Sequence, residues 1–372
     1  MAEAVGSILG PELDAQILMK LDDLKRAGAA HGFQLCLGYR DRCLGLYYLG
    51  DFGPDRPPVT TQTWFDLASL TKIISIFSLV CLALQSRSLQ SVEQRVGEFL
   101  PFLKSDLKDR SLRDLLEHQS GLPATFEDIR EQPVEREARV RYFLSQVDEM
   151  PRTAYGETLY SDVGYMILGL ILERLHQQRL RDLFDAQVGQ IFSIRYAPID
   201  LPWSFLHRFF ESDFVGPCQS LDNSSEFLSG SPQDPKAHWL GGDAGHAGLF
   251  AKARAVENWA KEIFLAYHGK GLLFSDRVLR EHIDFNKSQR FLLGWDRPTQ
   301  PSQAGELAGP FCLGHLGYTG SSLWVDFEKS YRVTLLCHRH FPELDPSALG
   351  RLRPQFHDWL TETVFNRLRE IL

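Results

Sequence analysis

The sequence predicts an α/β (α+β) protein: one antiparallel sheet built from both ends of the chain and flanked by helices, with a mostly helical lobe inserted between its halves. Three observations carry this expectation. Short strand-like runs lie near the N-terminus, helical spacing dominates the centre, and strand-like runs return beyond residue 290 before a last helical stretch.

Apolar positions at Leu13, Ile17, Leu18, Leu21 and Leu24 fall on one face of an amphipathic helix over residues 11 to 28. Gln34 to Tyr39 and Cys43 to Leu49, separated by Arg40, Asp41 and Arg42, suit a hairpin. A turn through Gly53, Pro54, Pro57 and Pro58 leads to Trp64 and Phe65, and then to the apolar run Ile73 to Leu84, too short to cross a bilayer and read as a buried helix. Helices are predicted near 111–118, 134–147, 162–177 and 254–267. The proline-bearing stretch 198–243 reads as a long loop of the kind that sets specificity. Strands follow at Phe291 to Trp295, Ser321 to Phe327 and Tyr331 to Cys337, then a helix from 346 to 372. Residues 1–68 and 285–372 are thus expected to form the sheet lobe and 69–284 the helical lobe, a single catalytic unit with its site between them.

A chain of 372 residues with 44% hydrophobic and 24% charged residues builds a substantial core. Its net charge of -8 argues against nucleic-acid and anionic-membrane partners and favours a small-molecule or peptide substrate. Glu3, Glu12 and Asp14 precede the first lysine, Lys20, the reverse of a secretory leader, so a cytoplasmic location is expected, although an exported chain trimmed of its leader would read the same way. The six cysteines have neither zinc-site spacing nor the clustering of a disulfide framework; reduced thiols and no cofactor are expected.

The chemistry is concentrated at Ser69-Leu70-Thr71-Lys72. Three residues apart, Ser69 and Lys72 share one helical face, and a serine at a helix start lies beside unpaired N–H groups suited to an oxyanion. Lys72 is the sole charged residue between Ser69 and Leu84, so desolvation is expected to lower its pKa and make it a base toward the serine hydroxyl. A second Ser-x-x-Lys, Ser105 to Lys108, sits in a charged, exposed stretch and reads as bland surface. His338 and His340 share one strand face, but no further ligand accompanies them, and no metal site is expected.

Tyr160-Ser161-Asp162 and Gly314-His315-Leu316-Gly317-Tyr318-Thr319-Gly320 follow in order, together with Leu112 to Pro123 and Gly241 to Phe250. With these motifs the chain resembles the serine beta-lactamase and penicillin-binding protein superfamily, in the branch of class C beta-lactamases, D-alanyl-D-alanine carboxypeptidases and related esterases. The resemblance runs from about residue 30 to residue 340 and implies the beta-lactamase/transpeptidase-like fold. It further implies that Ser69 attacks a carbonyl, that Lys72 and Tyr160 move the proton, and that the N–H groups of Ser69 and Tyr318 form the oxyanion hole. His315 would line the opposite wall, a role easier when protonated, and Gly317 would let the strand approach the substrate. Asp162 is either a helix cap or a polar site residue; His246 reads as structural. Leu316 stands where relatives carry Thr, removing a hydroxyl that Thr319 replaces in part, and His315 stands where many carry Lys. That shifts the expected substrate from penicillins and D-Ala-D-Ala termini toward esters or other amides, with D-amino-acid peptides and recycled wall fragments kept as candidates. The competing reading is a ligand-binding or sensing protein that kept the fold and lost turnover.

Overall fold

The computed structural model describes residues 2–52, 57–129, 135–197, 218–219, 227–341, 343–345 and 347–371. Most of the loop expected over 198–243, and the Gly53–Pro54 part of the predicted turn, lie outside the described residues.

Eight strands form the main sheet: β1 (Ala2–Val5), β2 (Gly32–Tyr39), β3 (Arg42–Gly50), β4 (Phe291–Leu292), β5 (Trp295–Asp296), β6 (Cys312–Leu316), β7 (Gly320–Asp326) and β8 (Tyr331–His338). Their order is β1-β3-β2-β8-β7-β6-β5-β4, with every pairing antiparallel. The N-terminal hairpin and the C-terminal strands meet where Cys36 faces Thr334 and Leu35 faces Leu335. β2 is buried along its whole length, which explains its near-continuous apolar run.

Two refinements concern strands. Phe291 to Trp295, expected as one strand, is a tight hairpin, because Leu293 and Gly294 both take positive φ (46° and 94°) and fold β5 back on β4. β1 was not predicted; its four residues are mostly exposed and carry no apolar alternation.

Each face of the sheet has its own core. On one face Ile17, Leu21 and Leu24 of the helix Pro11–Arg26 pack with Leu349, Phe356 and Leu360 of the helix Ala348–Leu360 against Phe33, Leu35, Leu335 and Cys337. The other face is covered by the helix Ala253–Tyr267, whose Trp259 stacks on Trp295 at 5.6 Å and donates from Nε1 to Ser78 Oγ at 3.0 Å. That helix therefore ties the sheet to the apolar helix after Ser69, in which Lys72–Phe77 is π-helical and Ser78–Ser86 is α-helical. Further helices at Leu112–Leu116, Arg136–Val147 and Asp162–His176 match the expected positions.

A small sheet orders Phe65–Asp66, Leu249–Ala251 and Arg195–Tyr196, bringing the glycine-rich segment alongside the residues before Ser69. Five cysteines, Cys36, Cys43, Cys81, Cys312 and Cys337, are free thiols. No described helix is long and apolar enough to cross a membrane.

Candidate active site

Ser69 is presented by a strained turn. The Asp66 carboxylate accepts from the N–H of Ala68 at 2.8 Å and of Gln233 at 2.8 Å, and Ala68 is held at φ 45°, a conformation side-chain-bearing residues rarely adopt. The helix then starts with Leu70 N–H on Leu67 O, Thr71 N–H on Ala68 O and Lys72 N–H on Ser69 O, each at 3.0 Å. This start leaves Ser69 part-exposed and turns Lys72, fully buried, back beneath it.

The three N–H bonds of the Lys72 ammonium are all engaged: on Ser69 Oγ at 3.0 Å, Asp162 Oδ1 at 2.8 Å and the His246 carbonyl at 3.1 Å. The Tyr160 ring centroid lies 4.8 Å from Lys72 Nζ, and its hydroxyl interacts with both Lys72 and Ser69. Ser69, Lys72, Tyr160 and Asp162 are thus brought together from two helices and the loop between Leu116 and Asp162. Asp162 is not the helix cap. Ser161 fills that position, accepting from Gly164 N–H at 3.1 Å, and leaves the Asp162 carboxylate to the lysine.

The expected depression of the Lys72 pKa is corrected here. Burial alone would lower it, but the Asp162 carboxylate and Tyr160 more than offset that, and the lysine titrates above its ordinary value. Burial likewise raises Tyr160, against the nearby Lys72 charge. Asp162, despite burial, is held below the usual carboxylate range by Lys72 and His246. The resting pair is an ammonium beside a neutral phenol.

His315 is 3% exposed, its ring centroid 5.9 Å from that of Tyr160. Burial, followed by the Lys72 charge, pushes its pKa down to about 3. It is neutral at pH 7, so the protonation that would ease its expected role is absent. Its Nδ1–H donates to Leu316 O at 2.8 Å, which leaves Nε2 as an acceptor without a partner among the described residues.

The end of β6 reaches the segment that precedes Ser69. A Cβ on Gly317 would lie 2.8 Å from Leu67 O, so glycine is what allows this contact. Among the described residues, neither Ser69 N–H nor Tyr318 N–H has an acceptor. The Tyr318 carbonyl accepts from Arg339 Nε at 2.9 Å and His340 Nε2 at 2.8 Å, and its exposed ring stacks on His340 at 4.3 Å. Thr319 does not stand in for the missing hydroxyl. It is 1% exposed and donates to Asp66 O at 3.0 Å, stitching the β6–β7 turn to the segment before Ser69. His338 accepts from Asp66 N–H at 3.2 Å, so His338 and His340 both serve backbone groups beside the site. The second Ser-x-x-Lys lies apart, with Lys108 exposed and Ser105 bound through its N–H to Asp148.

Four residues were missed as partners of the site. His118 accepts Ser161 N–H on Nδ1 at 2.9 Å and packs on Tyr160 with ring centroids 4.5 Å apart, while Asp234, Lys236 and His246 surround Asp162. The last three come from chain positions remote from every motif triplet, and only the glycine-rich segment around His246 signalled them.

A family model described as Beta-lactamase matches residues 20–355. The chain belongs to the beta-lactamase family, and it is a serine hydrolase. It is 28% identical over 322 residues to a protein named N-acetylmuramyl-L-alanine amidase from Bacillus subtilis (strain 168), covering 77% of this chain and 70% of that one. Over 353 residues it is 25% identical to "Putative D-alanyl-D-alanine carboxypeptidase" of Escherichia coli (strain K12), covering 84% and 79%. Among solved structures, D-amino acid amidase from Ochrobactrum anthropi SV3 superposes with a TM-score of 0.71 at 17% identity, covering 96% of this chain and 99% of that one. A class C beta lactamase from Rhodobacter sphaeroides gives 0.68 at 17% identity, covering 92% and 97%. The last two show the shared beta-lactamase/transpeptidase-like fold.

Proposed function

We propose that the protein hydrolyses an amide or ester through an acyl-enzyme on Ser69, acting on D-amino-acid peptides or amides, peptidoglycan fragments or small esters. The observation that carries this is the buried Lys72 ammonium 3.0 Å from the part-exposed Ser69 hydroxyl, with the Tyr160 hydroxyl beside both. Once the Lys72–Tyr160 pair has released one proton it accepts that of Ser69, and Oγ adds to the substrate carbonyl. The N–H groups of Ser69 and Tyr318 hold the resulting oxyanion, Tyr160 protonates the leaving group, and water then frees Ser69. In this reading the substrate lies between a sheet lobe of residues 1–68 and 285–372 and a helical lobe drawn from 69–284, whose helix Ala253–Tyr267 packs on the sheet instead.

The named activities of the amidase and carboxypeptidase relatives support the D-amino-acid and wall-derived substrates. Neutral His315 and Leu316 leave no cation from the third motif for a substrate carboxylate, which favours esters and amides without a neighbouring carboxylate over penicillins and free D-alanyl termini. A panel of p-nitrophenyl esters, D-amino-acid amides, D-alanyl peptides and nitrocefin tests this. Turnover of an amide or ester by the wild type and none by Ser69→Ala is expected. No turnover of any of them would favour a ligand-binding protein.

A further inference from the structure

We propose that Lys236, Asp234 and His246 are positioning residues for the Ser69–Lys72 pair, closing a ring around the Lys72 ammonium in which Lys236 and Asp234 act in opposite directions on how firmly Asp162 holds it. The inference rests on the acyl-enzyme reading above.

The ring runs from Lys72 Nζ to Asp162 Oδ1 at 2.8 Å, from Asp162 Oδ2 to Lys236 Nζ at 3.7 Å, and from Lys236 Nζ to Asp234 Oδ2 at 2.9 Å. His246 Nε2–H donates to Asp234 Oδ1 at 2.9 Å, and the His246 carbonyl returns to Lys72 Nζ at 3.1 Å. Asp234 is itself fixed as the cap of the helix Pro235–Trp239, accepting the N–H groups of Lys236 and Ala237 at 2.9 Å each. His246 is 1% exposed and Lys72 wholly buried, so these charges act through a medium that screens them little. Asp162, Asp234 and His246 have the composition of a metal site, but the Lys72 and Lys236 ammonium groups already lie on both carboxylates and supply the positive charge a metal would.

Coulomb's law then assigns Lys236 and Asp234 opposite directions, while His246 contributes its hydrogen bond to Asp234 and its carbonyl on Lys72. Lys236 draws on the Asp162 carboxylate and so weakens its hold on the Lys72 proton, whereas Asp234 neutralises Lys236 and restores that hold. The other groups facing Lys72 are Tyr160, Tyr165, His118 and His315, and both of these histidines are kept uncharged first by burial and next by the Lys72 charge.

The test measures the rate at which a fluorophosphonate labels Ser69 between pH 6 and 9 in the intact protein, with unfolding followed in parallel. Asp234→Asn is expected to label about tenfold faster at a given pH and Lys236→Met about tenfold slower, one pH unit either way, with Lys236→Arg near wild type. A purely structural role would slow both, so a slowdown in both variants, or wild-type rates in both, overturns the proposal. A wild type that takes no label overturns the acyl-enzyme reading as well, which separates the two failures.

Discussion

At the scale of single residues, the site depends on groups held where their surroundings leave them no alternative. Gly317 shows this most simply: any side chain there meets the Leu67 carbonyl, so the strand end carrying Tyr318 must move away from Ser69. Gly317→Ala should slow acylation by about 100-fold, the scale of a lost oxyanion donor, and lower thermal stability as well, because the Cβ meets backbone. An unchanged fluorophosphonate labelling rate would show that Tyr318 N–H is not such a donor. The grouping of Ser69, Lys72 and Tyr160 was legible because their ordered motifs resemble those of the family, spacing alone having given only a shared helical face to Ser69 and Lys72. The charge state of Lys72 was not, since desolvation could be read from its apolar neighbours while a carboxylate 2.8 Å away, ninety positions along the chain, could not.

At the scale of elements, the glycine-rich segment is the part that sequence patterning explains least. A Cβ on Gly245 would lie 2.0 Å from the Tyr165 carbonyl, so the segment rests directly on the backbone of the helix Asp162–His176. That contact places the His246 carbonyl on Lys72. Gly245→Ala should destabilise the fold by about 1–3 kcal/mol, read by urea denaturation, and slow labelling of Ser69 as well. Wild-type values for both would mean the close approach is not needed. Amphipathic spacing correctly placed the helix Pro11–Arg26, and two short runs parted by the polar residues Arg40, Asp41 and Arg42 placed the hairpin of β2 and β3. The β4–β5 hairpin escaped notice because its turn is only Leu293 and Gly294, set within an otherwise strand-like apolar run.

At the scale of the whole molecule, the sheet joins the two ends of the chain and the helices between them carry Ser69 and Lys72, an arrangement of elements the alternation of strand and helical signals foretold. The same burial that builds this core makes stability sensitive to acid. His357, depressed first by burial and then by the Arg353 charge, and His315 both have pKa values pushed down to about 3. An unfolded histidine takes its proton near pH 6.5, so their stabilisation is complete above that pH and is lost as pH falls toward 3. Asp66, which burial pushes up to about 6, acts in the opposite sense and gains as pH falls. His357→Leu isolates one contribution: the stability lost between pH 7 and pH 5 should shrink by about 2 kcal/mol relative to wild type, and an equal loss in both proteins would contradict the buried neutral state.

The central claim is that Ser69, activated by Lys72 and Tyr160, forms the covalent intermediate. Intact-mass and peptide mass spectrometry after fluorophosphonate treatment tests it most directly. A single adduct on the peptide containing Ser69, absent from Ser69→Ala, is the predicted result; an adduct on another residue, or equal labelling of Ser69→Ala, would contradict it.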